Sequence, residues 1–426
     1  MFEMLDFDPT TVDEAGLIDR IAQLERLKST AAAAQARMTA ALDLMRRTAE
    51  ADAGIPMRKR GQGLASEIGL ARRESPKQGS RHLGFARALV HEMPHTLAAL
   101  ESGVLSEWRA TLLVKESACL DVEDRRTLDA EMCADPTTLE GKGDKRIEAD
   151  AKAIAYRLDP HAVVDRARQA EKDRCVSVRP AADAMAWVSI LLPVAQGVAV
   201  YAALKRAADT TCDGRSRGQV MADTAFERIT ARPADVPIPV TVDVVITDET
   251  LLGGDTEPAR IPGYGPIPAA VARHLISNTV GDDRSRATLR RLYRHPKTGT
   301  LVTMESRARR FPKALAAFIA LRDDTCRTPY CNAPIRHIDH AVPDSRGGPT
   351  SAVNGNGVCE ACNYAKEAPG WRVRTSKEFD CHTTEVTTPT GTTYTGKAPP
   401  LPGRNQEHVT SIDVARFRVV VRRRAA

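Results

Sequence analysis

Aromatic residues are scarce in this chain: phenylalanine, tryptophan and tyrosine together make up 4% of its 426 residues. Proteins that bind single-stranded nucleic acids stack the bases on aromatic side chains, so the composition disfavours that class. Long apolar runs are lacking as well. The most apolar window, Trp187 to Ala203, is interrupted by Ser189, Pro193 and Gln196, whereas a membrane span needs roughly 20 predominantly apolar residues. We therefore expect no membrane partner.

An apolar targeting segment is not visible either. The chain begins with MFEMLDFDPTTVDE, which is acidic and has no hydrophobic core. We therefore predict no signal peptide and a cytoplasmic protein. In such a reducing compartment, clustered cysteines bind metal more often than they form disulfides.

Positive charge is concentrated in two segments. The net charge of +6 is by itself a weak indication of a polyanionic partner. Between residues 284 and 313, one acid, Glu305, is accompanied by these basic residues: Arg284, Arg286, Arg290, Arg291, Arg294, Lys297, Arg307, Arg309, Arg310 and Lys313. A second run comprises Arg416, Arg418, Arg422, Arg423 and Arg424. We take Arg307, Arg309 and Arg310 as candidate DNA contacts.

The predicted fold is mainly α with a smaller α+β part. A large helical N-terminal domain that positions DNA is expected over residues 1–320, a compact module over 321–375, and a Thr-, Pro- and Gly-rich basic tail over 376–426. Thr11 and Glu14 have the spacing of a capping box, so a helix should run towards Glu50. The stretch Thr383 to Gly403 is expected to be loose, and RFRVVVRRRAA is either a terminal strand or a basic tail.

Two further segments have recognisable patterns. VPIPVTVDVVIT predicts a strand with Val240, Val242, Val244 and Ile246 on one face. The segment around Gly103 and Ser106 contains two helices. It is either a helix-turn-helix that reads DNA or a helical hairpin that buries Leu97, Leu100, Val104 and Leu112; we favour the hairpin, because helix–turn–helix spacing is weak evidence.

Four of the nine cysteines form two short pairs, Cys326-x4-Cys331 and Cys359-x2-Cys362. Two such pairs can complete a tetrahedron of thiolates around Zn²⁺, whereas either pair alone would be ambiguous. Buried free thiols are the alternative. Four sulfur ligands leave the zinc ion no open coordination position, so it could not activate water. Its role would be to stabilise the fold of a short segment.

The residues between the two cysteine pairs could carry chemistry. IRHIDH alternates as a short strand, a second strand runs through 357–359, and a short helix follows from about Glu360. Two strands and a helix can bring Asp339 and Asn363 to one point, where their hard oxygens suit Mg²⁺ or Mn²⁺. His340, next to Asp339, can remove a proton from water.

This segment resembles an HNH nuclease module of the ββα-metal (His-Me finger) type. The matching residues are Asp339-His340 at the end of the first strand, Asn354 after a Gly-Gly-Pro-Thr turn, and Asn363 on the helix. Many such modules also carry two cysteine pairs. Asn363 stands where many relatives have histidine; it still supplies an oxygen, but the preferred ion is left open. Asn356 is a competing asparagine, although the spacing favours Asn354.

The resemblance implies a DNA endonuclease and a role for each matching residue. His340 would be the general base that activates water. Asp339 and Asn363 would hold the divalent ion that stabilises charge on the scissile phosphate and the leaving 3′ oxygen. Asn354 would hold the loop and so orient His340. The products would carry a 5′-phosphate and a 3′-hydroxyl.

Three neighbouring residues have two readings each. His337 is either a further ligand or a locally hydrogen-bonded strand histidine, which we favour. Lys366 and Arg346 are candidate phosphate contacts, with a solvated side chain as the alternative for each. His382 lies outside the motif, and we expect no role for it.

The N-terminal part is similar to the long helical domain of unknown function that precedes HNH modules in the thirteen-E-twelve repeat family. The likeness covers roughly residues 10–320 and is carried by RALVHEMPHTLAALESGVLS, DGRSRGQVMADTAFERI and LLGGDTEPARIPGYGPIP. It implies architecture but no chemistry. One set of polar residues either forms a structural network, which we favour, or contacts DNA: Asp213, Arg215, Arg217, Gln219 and Asp223.

Two functions are consistent with these residues. The leading one is a metal-dependent DNA endonuclease with a structural Zn²⁺, a catalytic Mg²⁺ or Mn²⁺, and double-stranded DNA as its partner. The alternative is a zinc-dependent nucleic-acid-binding protein that does not cleave, which is disfavoured because the full catalytic set is present. Cleavage of both strands by one centre would require a homodimer or two successive nicks.

Overall fold

The computed structural model describes residues 12–234, 243–280, 285–293, 305–306, 310–378, 381–402 and 413–421. These residues are mainly helical and also form small sheets. The chain divides into two compact units, Met1–Ala170 and Glu171–Ala426; the predicted borders near residues 320 and 375 stay predictions. None of the described helices combines the length and the apolar character that a bilayer crossing requires.

The helices, numbered in chain order, are α1 (Glu14–Asp52), α2 (Leu64–Ala71), α3 (Pro76–His91), α4 (Pro94–Glu101), α5 (Glu107–Glu116), α6 (Val122–Cys133), α7 (Asp144–Leu158), α8 (Pro160–Ala170), α9 (Val194–Thr210), α10 (Arg217–Thr230), α11 (Asp248–Leu252), α12 (Ala269–Val280), α13 (Lys313–Asp323) and α14 (Glu360–Lys366). The strands are β1 (Cys175–Pro180), β2 (Ala186–Leu191), β3 (Asp243–Thr247), β4 (Ala259–Ile261), β5 (Gly265–Ile267), β6 (Ser285–Tyr293), β7 (Glu305–Ser306), β8 (His337–His340), β9 (Thr350–Ser351), β10 (Gly355–Val358), β11 (Arg372–Glu378), β12 (Cys381–Thr387), β13 (Thr393–Lys397) and β14 (Asp413–Val421).

The first unit is built around the long helix α1. Its N-cap is Asp13, whose carboxylate accepts a hydrogen bond from the Gly16 amide at 2.9 Å. The prediction of Thr11 as N-cap is wrong, because Asp13 already satisfies a free amide of the first turn; Thr11 itself lies outside the described residues. The core of this unit contains small alanines of α1 and larger side chains from the helices after it: Ala32, Ala33, Ala36, Ala40, Leu89, Met93, Leu100, Leu113 and Ile147.

The segment around Gly103 forms the two predicted helices, α4 and α5. Gly103 has a φ of 78°, which ends α4, and Ser106 caps α5 by accepting from the Arg109 amide. The expected core residues Leu97, Leu100 and Leu112 are buried, but Val104 is 46% exposed and was wrongly placed in the core. Its neighbour Leu105, which follows the turn, is fully buried instead.

In the second unit, β1 and β2 form an antiparallel hairpin, and α9 and α10 follow it. The loop before α10 holds the predicted polar network. Arg215 bonds to the carboxylates of both Asp213 and Asp223, and Gln219 closes a capping box with Ser216. These contacts support the structural reading of that stretch.

A five-stranded sheet has the strand order β5-β4-β3-β14-β6. Val244 and Ile246 of β3 are buried in one cluster with residues of α12, which confirms that part of the predicted strand face; Val240 and Val242 lie outside the described residues. Of the two readings of the last basic segment, the strand is correct for residues 413–421, which pair with β3 and β6.

The tail that was expected to be loose is folded over most of its length. β11, β12 and β13 form a three-stranded antiparallel sheet, and Thr383, Thr384 and Val386 of β12 are buried. Threonine is β-branched and fits a pleated strand. Pro389 and Gly391 lie in the turn between β12 and β13, where Gly391 has a φ of 88°.

Candidate metal centre and neighbouring cavity

Four cysteine sulfurs lie together in the second unit, as their spacing predicted. The Sγ atoms of Cys326, Cys331, Cys359 and Cys362 are all within 4.8 Å of one another, and all four residues are buried. Cys331 Sγ lies 3.8 Å from Cys359 Sγ. Zn–S bonds of about 2.3 Å that point to the corners of a tetrahedron would place two sulfurs about 3.8 Å apart. The cluster can therefore hold a structural metal ion such as zinc.

Backbone hydrogen bonds hold each cysteine pair in position. Cys359 is the N-cap of α14, where its Sγ accepts from the Cys362 amide at 3.4 Å, and a helix N-terminus favours a thiolate. The first pair is closed by a hydrogen bond from the Cys326 amide to the Ala333 carbonyl at 2.9 Å. A hydrogen bond from the Cys331 thiol lowers the pKa of Cys326 to about 7, towards the thiolate form that a metal needs.

Two paired strands and a helix follow the same order as the sequence predicted. β8 pairs antiparallel with β10, with His340 opposite Gly355 and Asp339 opposite Asn356, and α14 begins two residues after β10. A Cβ at residue 355 would lie 2.4 Å from Ile319 Cδ1 on α13, so the side chains of α13 lie close to the β10 backbone there. The packing of α13 on β10 thus supports the strand that faces Asp339 and His340.

The Asp339 carboxylate has two donors. Lys366 Nζ lies 2.9 Å from Oδ2, and the His340 amide donates to Oδ1 at 2.8 Å. Burial alone would raise the pKa of Asp339, but the Lys366 ammonium outweighs burial and holds the pKa below its ordinary value. Asp339 is therefore ionised at neutral pH and available as an oxygen ligand.

The His340 ring is buried and fixed on two sides. It is 8% exposed, and Nε2 lies 2.9 Å from Thr350 Oγ1 on β9. Phe311 packs on the ring, with centroids 4.5 Å apart and planes tilted by 44°. Nδ1 lies 3.8 Å from Asp339 Oδ1, so this nitrogen is the one turned towards the carboxylate.

Asn354 holds the loop that follows His340. Its Oδ1 accepts from the Val342 amide, and its Nδ2 donates to the carbonyls of Val342 and Pro349, each at 2.9 Å. The competing asparagine, Asn356, is tied to another element, since its Oδ1 accepts from the Thr384 hydroxyl at 3.2 Å.

Sequence reasoning missed a buried ion pair at the end of α13. Arg322 bonds both carboxylate oxygens of Asp323, at 2.7 and 2.9 Å, and donates to the Gly355 carbonyl at 2.7 Å. Asp323 also accepts from the Gly357 amide at 2.7 Å. The pair thus fixes the β10 backbone directly after Asn354. The only signal in the sequence was the charged run RDD before Cys326, which is more typical of an exposed helix end.

Asn363 lies on α14, one turn before Lys366. Its Oδ1 is buried and has no hydrogen-bond partner among the described residues. Residues three apart share a helix face, so Asn363 lies on the side of α14 from which Lys366 reaches Asp339. A buried amide oxygen without a partner costs free energy unless something binds it, and such an oxygen suits Mg²⁺ or Mn²⁺. Asp339 and Asn363 thus each offer an oxygen of the kind that a hard divalent cation prefers.

A cavity of about 660 Å³ opens beside β8. Asp339, His340 and Lys366 line it together with Arg310. Asn354 and Asn363 are not part of its wall as the structure describes it, and neither is His337, which is exposed on β8. The strand histidine makes no side-chain hydrogen bond within the described ranges, so the expected local hydrogen bond is not seen.

The candidate DNA contacts are distributed around this site. Arg310 and Lys366 line the large cavity, and Arg346 lines a smaller one nearby. Arg307 and Arg309 lie outside the described residues.

His382 has a structural role that the sequence did not reveal. It is buried on β12, and its Nε2 donates to the Val353 carbonyl at 2.8 Å. Burial, followed by the nearby Arg322 guanidinium, lowers its pKa to about 4. His382 is therefore neutral at pH 7 and ties the β11–β12–β13 sheet to the residue before Asn354.

Comparison with known proteins gives a family match and one curated relative. A family model described as "Domain of unknown function (DUF222)" matches residues 22–323. The uncharacterized protein Rv3776 of Mycobacterium tuberculosis is 35% identical over 141 residues, which cover 32% of this chain and 24% of that protein; the match thus spans about a quarter of the relative's length. No solved structure matches the chain. The family match ends before Cys326, so it includes neither the cysteine cluster nor Asp339 and His340.

Proposed function

The chain belongs to the DUF222 family, and we propose that it is a metal-dependent DNA endonuclease whose C-terminal module cleaves phosphodiester bonds by HNH chemistry. The observation that carries this proposal is the placement of Asp339 and His340. They are consecutive at the end of β8 and line one cavity, and the loop after them is fixed by Asn354. The order β8, β10, α14 around the cysteine cluster also agrees with an HNH module.

His340 is the general base in this proposal. Its Nε2 is engaged with Thr350, which leaves Nδ1 to take a proton from an attacking water. The Phe311 ring on one side and the Thr350 contact on the other hold the imidazole in one orientation. A fixed base loses little entropy when the reaction begins.

Asp339 and Asn363 are the proposed ligands of a catalytic Mg²⁺ or Mn²⁺. The support is the chemistry of their oxygens and the buried, unpartnered Asn363 Oδ1. When bound, such an ion supplies Lewis-acid stabilisation of charge on the scissile phosphate and the leaving oxygen. The expected products carry a 5′-phosphate and a 3′-hydroxyl.

Double-stranded DNA is the proposed substrate because basic residues lie in the cavity wall and on both sides of the module in the sequence. Arg310 and Lys366 line the cavity, and the basic runs in the sequence flank the module on both sides. Contacts of this kind neutralise phosphates and read little sequence. One centre cuts one strand, so cleavage of both strands requires a homodimer or two successive nicks.

A second candidate is a zinc-dependent protein that binds DNA without cutting it. The observation that favours it is the ion pair between Asp339 and Lys366, in which the proposed metal ligand is already neutralised. In that case the module would offer phosphate contacts and a zinc fold but no divalent site.

A nicking assay with supercoiled plasmid separates the two functions. The zinc-loaded wild type is incubated with Mg²⁺, Mn²⁺ or no added divalent cation, beside Asp339→Ala. We expect nicking by the wild type that depends on the added ion, and none by the variant. DNA binding without nicking under every ion would favour the second candidate.

A further inference from the structure

A second cavity, of about 160 Å³, shares Pro343, Lys366 and Glu367 with the wall of the large one. The rest of its wall comes from the loop after β8 and from the start of β11. The proposed catalytic roles do not use this cavity.

The charged groups in this smaller cavity are strongly unbalanced: they are Arg346, Lys366, Arg372 and Arg374 against a single carboxylate, Glu367. Glu367 lies 2.7 Å from Lys366 Nζ, and the same ammonium lies 2.9 Å from Asp339. Both nearby acids are therefore engaged by Lys366. The positive charge of the three arginines is left uncompensated within the cavity.

The three arginines have free guanidinium groups as far as the structure describes their surroundings. Arg346, Arg372 and Arg374 make no side-chain hydrogen bond or ion pair with any described residue. Arg374 pairs in register with Glu385 of β12, yet no ion pair joins them. Arg372 and Arg374 are two residues apart on β11, so they project from the same face of the strand.

Trp371 also lines this cavity, and its indole N–H is a donor without a partner among the described residues. The residue is 5% exposed, and its indole Nε1 is buried. An indole N–H can only donate, and a buried polar group without a partner is rare in folded proteins. The indole N–H therefore lacks an acceptor among the described residues, and Glu367, the one anionic side chain that lines the cavity, is already paired.

Size and chemistry limit what could bind. Pockets that enclose drug-sized ligands measure roughly 300–1,000 Å³, so a cavity of about 160 Å³ suits a single group such as phosphate. Guanidinium forks match the oxygens of a phosphate and bind them by charge-assisted, often bidentate hydrogen bonds.

We propose that this smaller cavity binds a backbone phosphate of the DNA, adjacent to the phosphate that reaches His340. The shared wall at Lys366 places the two anion positions side by side, so one strand can engage both. Fixing a second phosphate sets the register of the strand in the large cavity. That the ligand is DNA rests on the proposed function. That the cavity binds an anion rests only on the side chains in its wall.

The test is the salt dependence of DNA binding, measured by fluorescence anisotropy with a labelled duplex and no added Mg²⁺ or Mn²⁺. The full-length, zinc-loaded wild type is compared with Arg372→Gln/Arg374→Gln. Each phosphate contact contributes about 0.9 to the slope of log K against log salt. We expect the double variant to lower the magnitude of the slope by about one and to weaken binding about tenfold.

Two further variants make the result specific. Arg58→Gln/Lys59→Gln removes two exposed cations from the first unit and should leave the slope unchanged. Trp371→Phe removes the N–H and no charge, so it should weaken binding severalfold at an unchanged slope. Circular dichroism and zinc content confirm that each variant is folded.

Three outcomes would overturn the proposal. One is a slope for Arg372→Gln/Arg374→Gln equal to that of the wild type. Another is an equal loss in both double variants, which would indicate diffuse charge instead of a built site. The third is that millimolar inorganic phosphate occupies the cavity, as read from tryptophan fluorescence, while the salt slope of DNA binding is the same in the double variant and the wild type. DNA binding is measured without the catalytic cation. A protein that shows the slope change but never nicks DNA would therefore contradict the proposed nuclease activity and not the phosphate site.

Discussion

Asn354 holds both backbone polar groups of Val342: its Oδ1 accepts from the Val342 N–H and its Nδ2 donates to the Val342 carbonyl, each at 2.9 Å. Val342 is two residues after His340, and the Ala341 amide in between donates to the Asn354 carbonyl at 2.8 Å. The asparagine therefore determines the path of the chain directly after the proposed base.

Replacing this asparagine should affect both the fold and the reaction. Asn354→Ala removes three buried hydrogen bonds, so we expect the free energy of unfolding to fall by roughly 2–4 kcal/mol. Nicking by the fraction that stays folded should fall about a hundredfold, because His340 loses its fixed position. Chemical denaturation and a plasmid nicking assay measure the two effects.

Asn356→Ala is the matched control for that experiment. Asn356 is also buried and bonds to Thr384, so its loss should lower stability without changing nicking per folded molecule. Equal rates for the two variants would contradict the orienting role of Asn354.

The cysteine cluster predicts one zinc ion per chain. Cys359→Ser removes a ligand that also caps α14, so zinc should be lost and the module should unfold. Cys381→Ser, a cysteine outside the cluster, should keep its zinc. Atomic absorption after extensive dialysis gives the stoichiometry; a Cys359→Ser protein with a full zinc content would show that the four-sulfur site is wrong.

Stability should depend on His382 as the pH falls. Burial, helped by Arg322, lowers its pKa in the folded protein to about 4, whereas an unfolded histidine has a pKa of about 6.5. Between these values the unfolded chain binds a proton that the folded chain does not, so stability is lost as the pH falls through 6.5 towards 4. The loss should reach about 3 kcal/mol, and none is expected above pH 7.

His382→Gln isolates this contribution from other titrating groups. Glutamine can still donate to the Val353 carbonyl but does not titrate. Urea denaturation at several pH values should give a flatter pH profile for the variant than for the wild type. Identical profiles would mean that His382 titrates freely in the folded protein.

The ion pair between Lys366 and Asp339 should oppose cation binding. The ammonium lies 2.9 Å from Asp339 Oδ2 and repels a second cation at that carboxylate. Lys366→Met should therefore bind Mn²⁺ more tightly, by about tenfold, in an electron paramagnetic resonance titration of the zinc-loaded protein. Lys313→Met removes an exposed lysine and should leave the affinity unchanged. Weaker Mn²⁺ binding by Lys366→Met would instead indicate that the lysine supports the site.

Spacing in the sequence was sufficient to identify the parts of this site that depend on local geometry. Two short cysteine pairs can meet at one ion because each pair already lies on a tight turn. Asp339 and His340 are consecutive at the end of β8, and both line one cavity. In the same way, Ser106 caps α5 because a serine before a helix accepts from a free amide of the first turn.

The sequence could not reveal contacts that depend on distant partners. Arg322 and Asp323 would normally lie at an exposed helix end, and charged residues are seldom buried unless they are paired. Their burial depends on backbone groups of Gly355 and Gly357, more than thirty residues later. The Thr-rich tail was misjudged for a related reason, since a strand such as β12 is stabilised by the strands on both sides and not by its own composition.

The central claim is that His340 activates water, and two histidines of one strand test it most directly. His337 and His340 lie at the two ends of β8, but His340 lines the large cavity and His337 does not. The measurement is the rate of plasmid nicking with Mn²⁺ by zinc-loaded His340→Ala and His337→Ala. We predict a loss of at least a hundredfold for His340→Ala and a rate near that of the wild type for His337→Ala. Equal rates for the two variants would contradict the account.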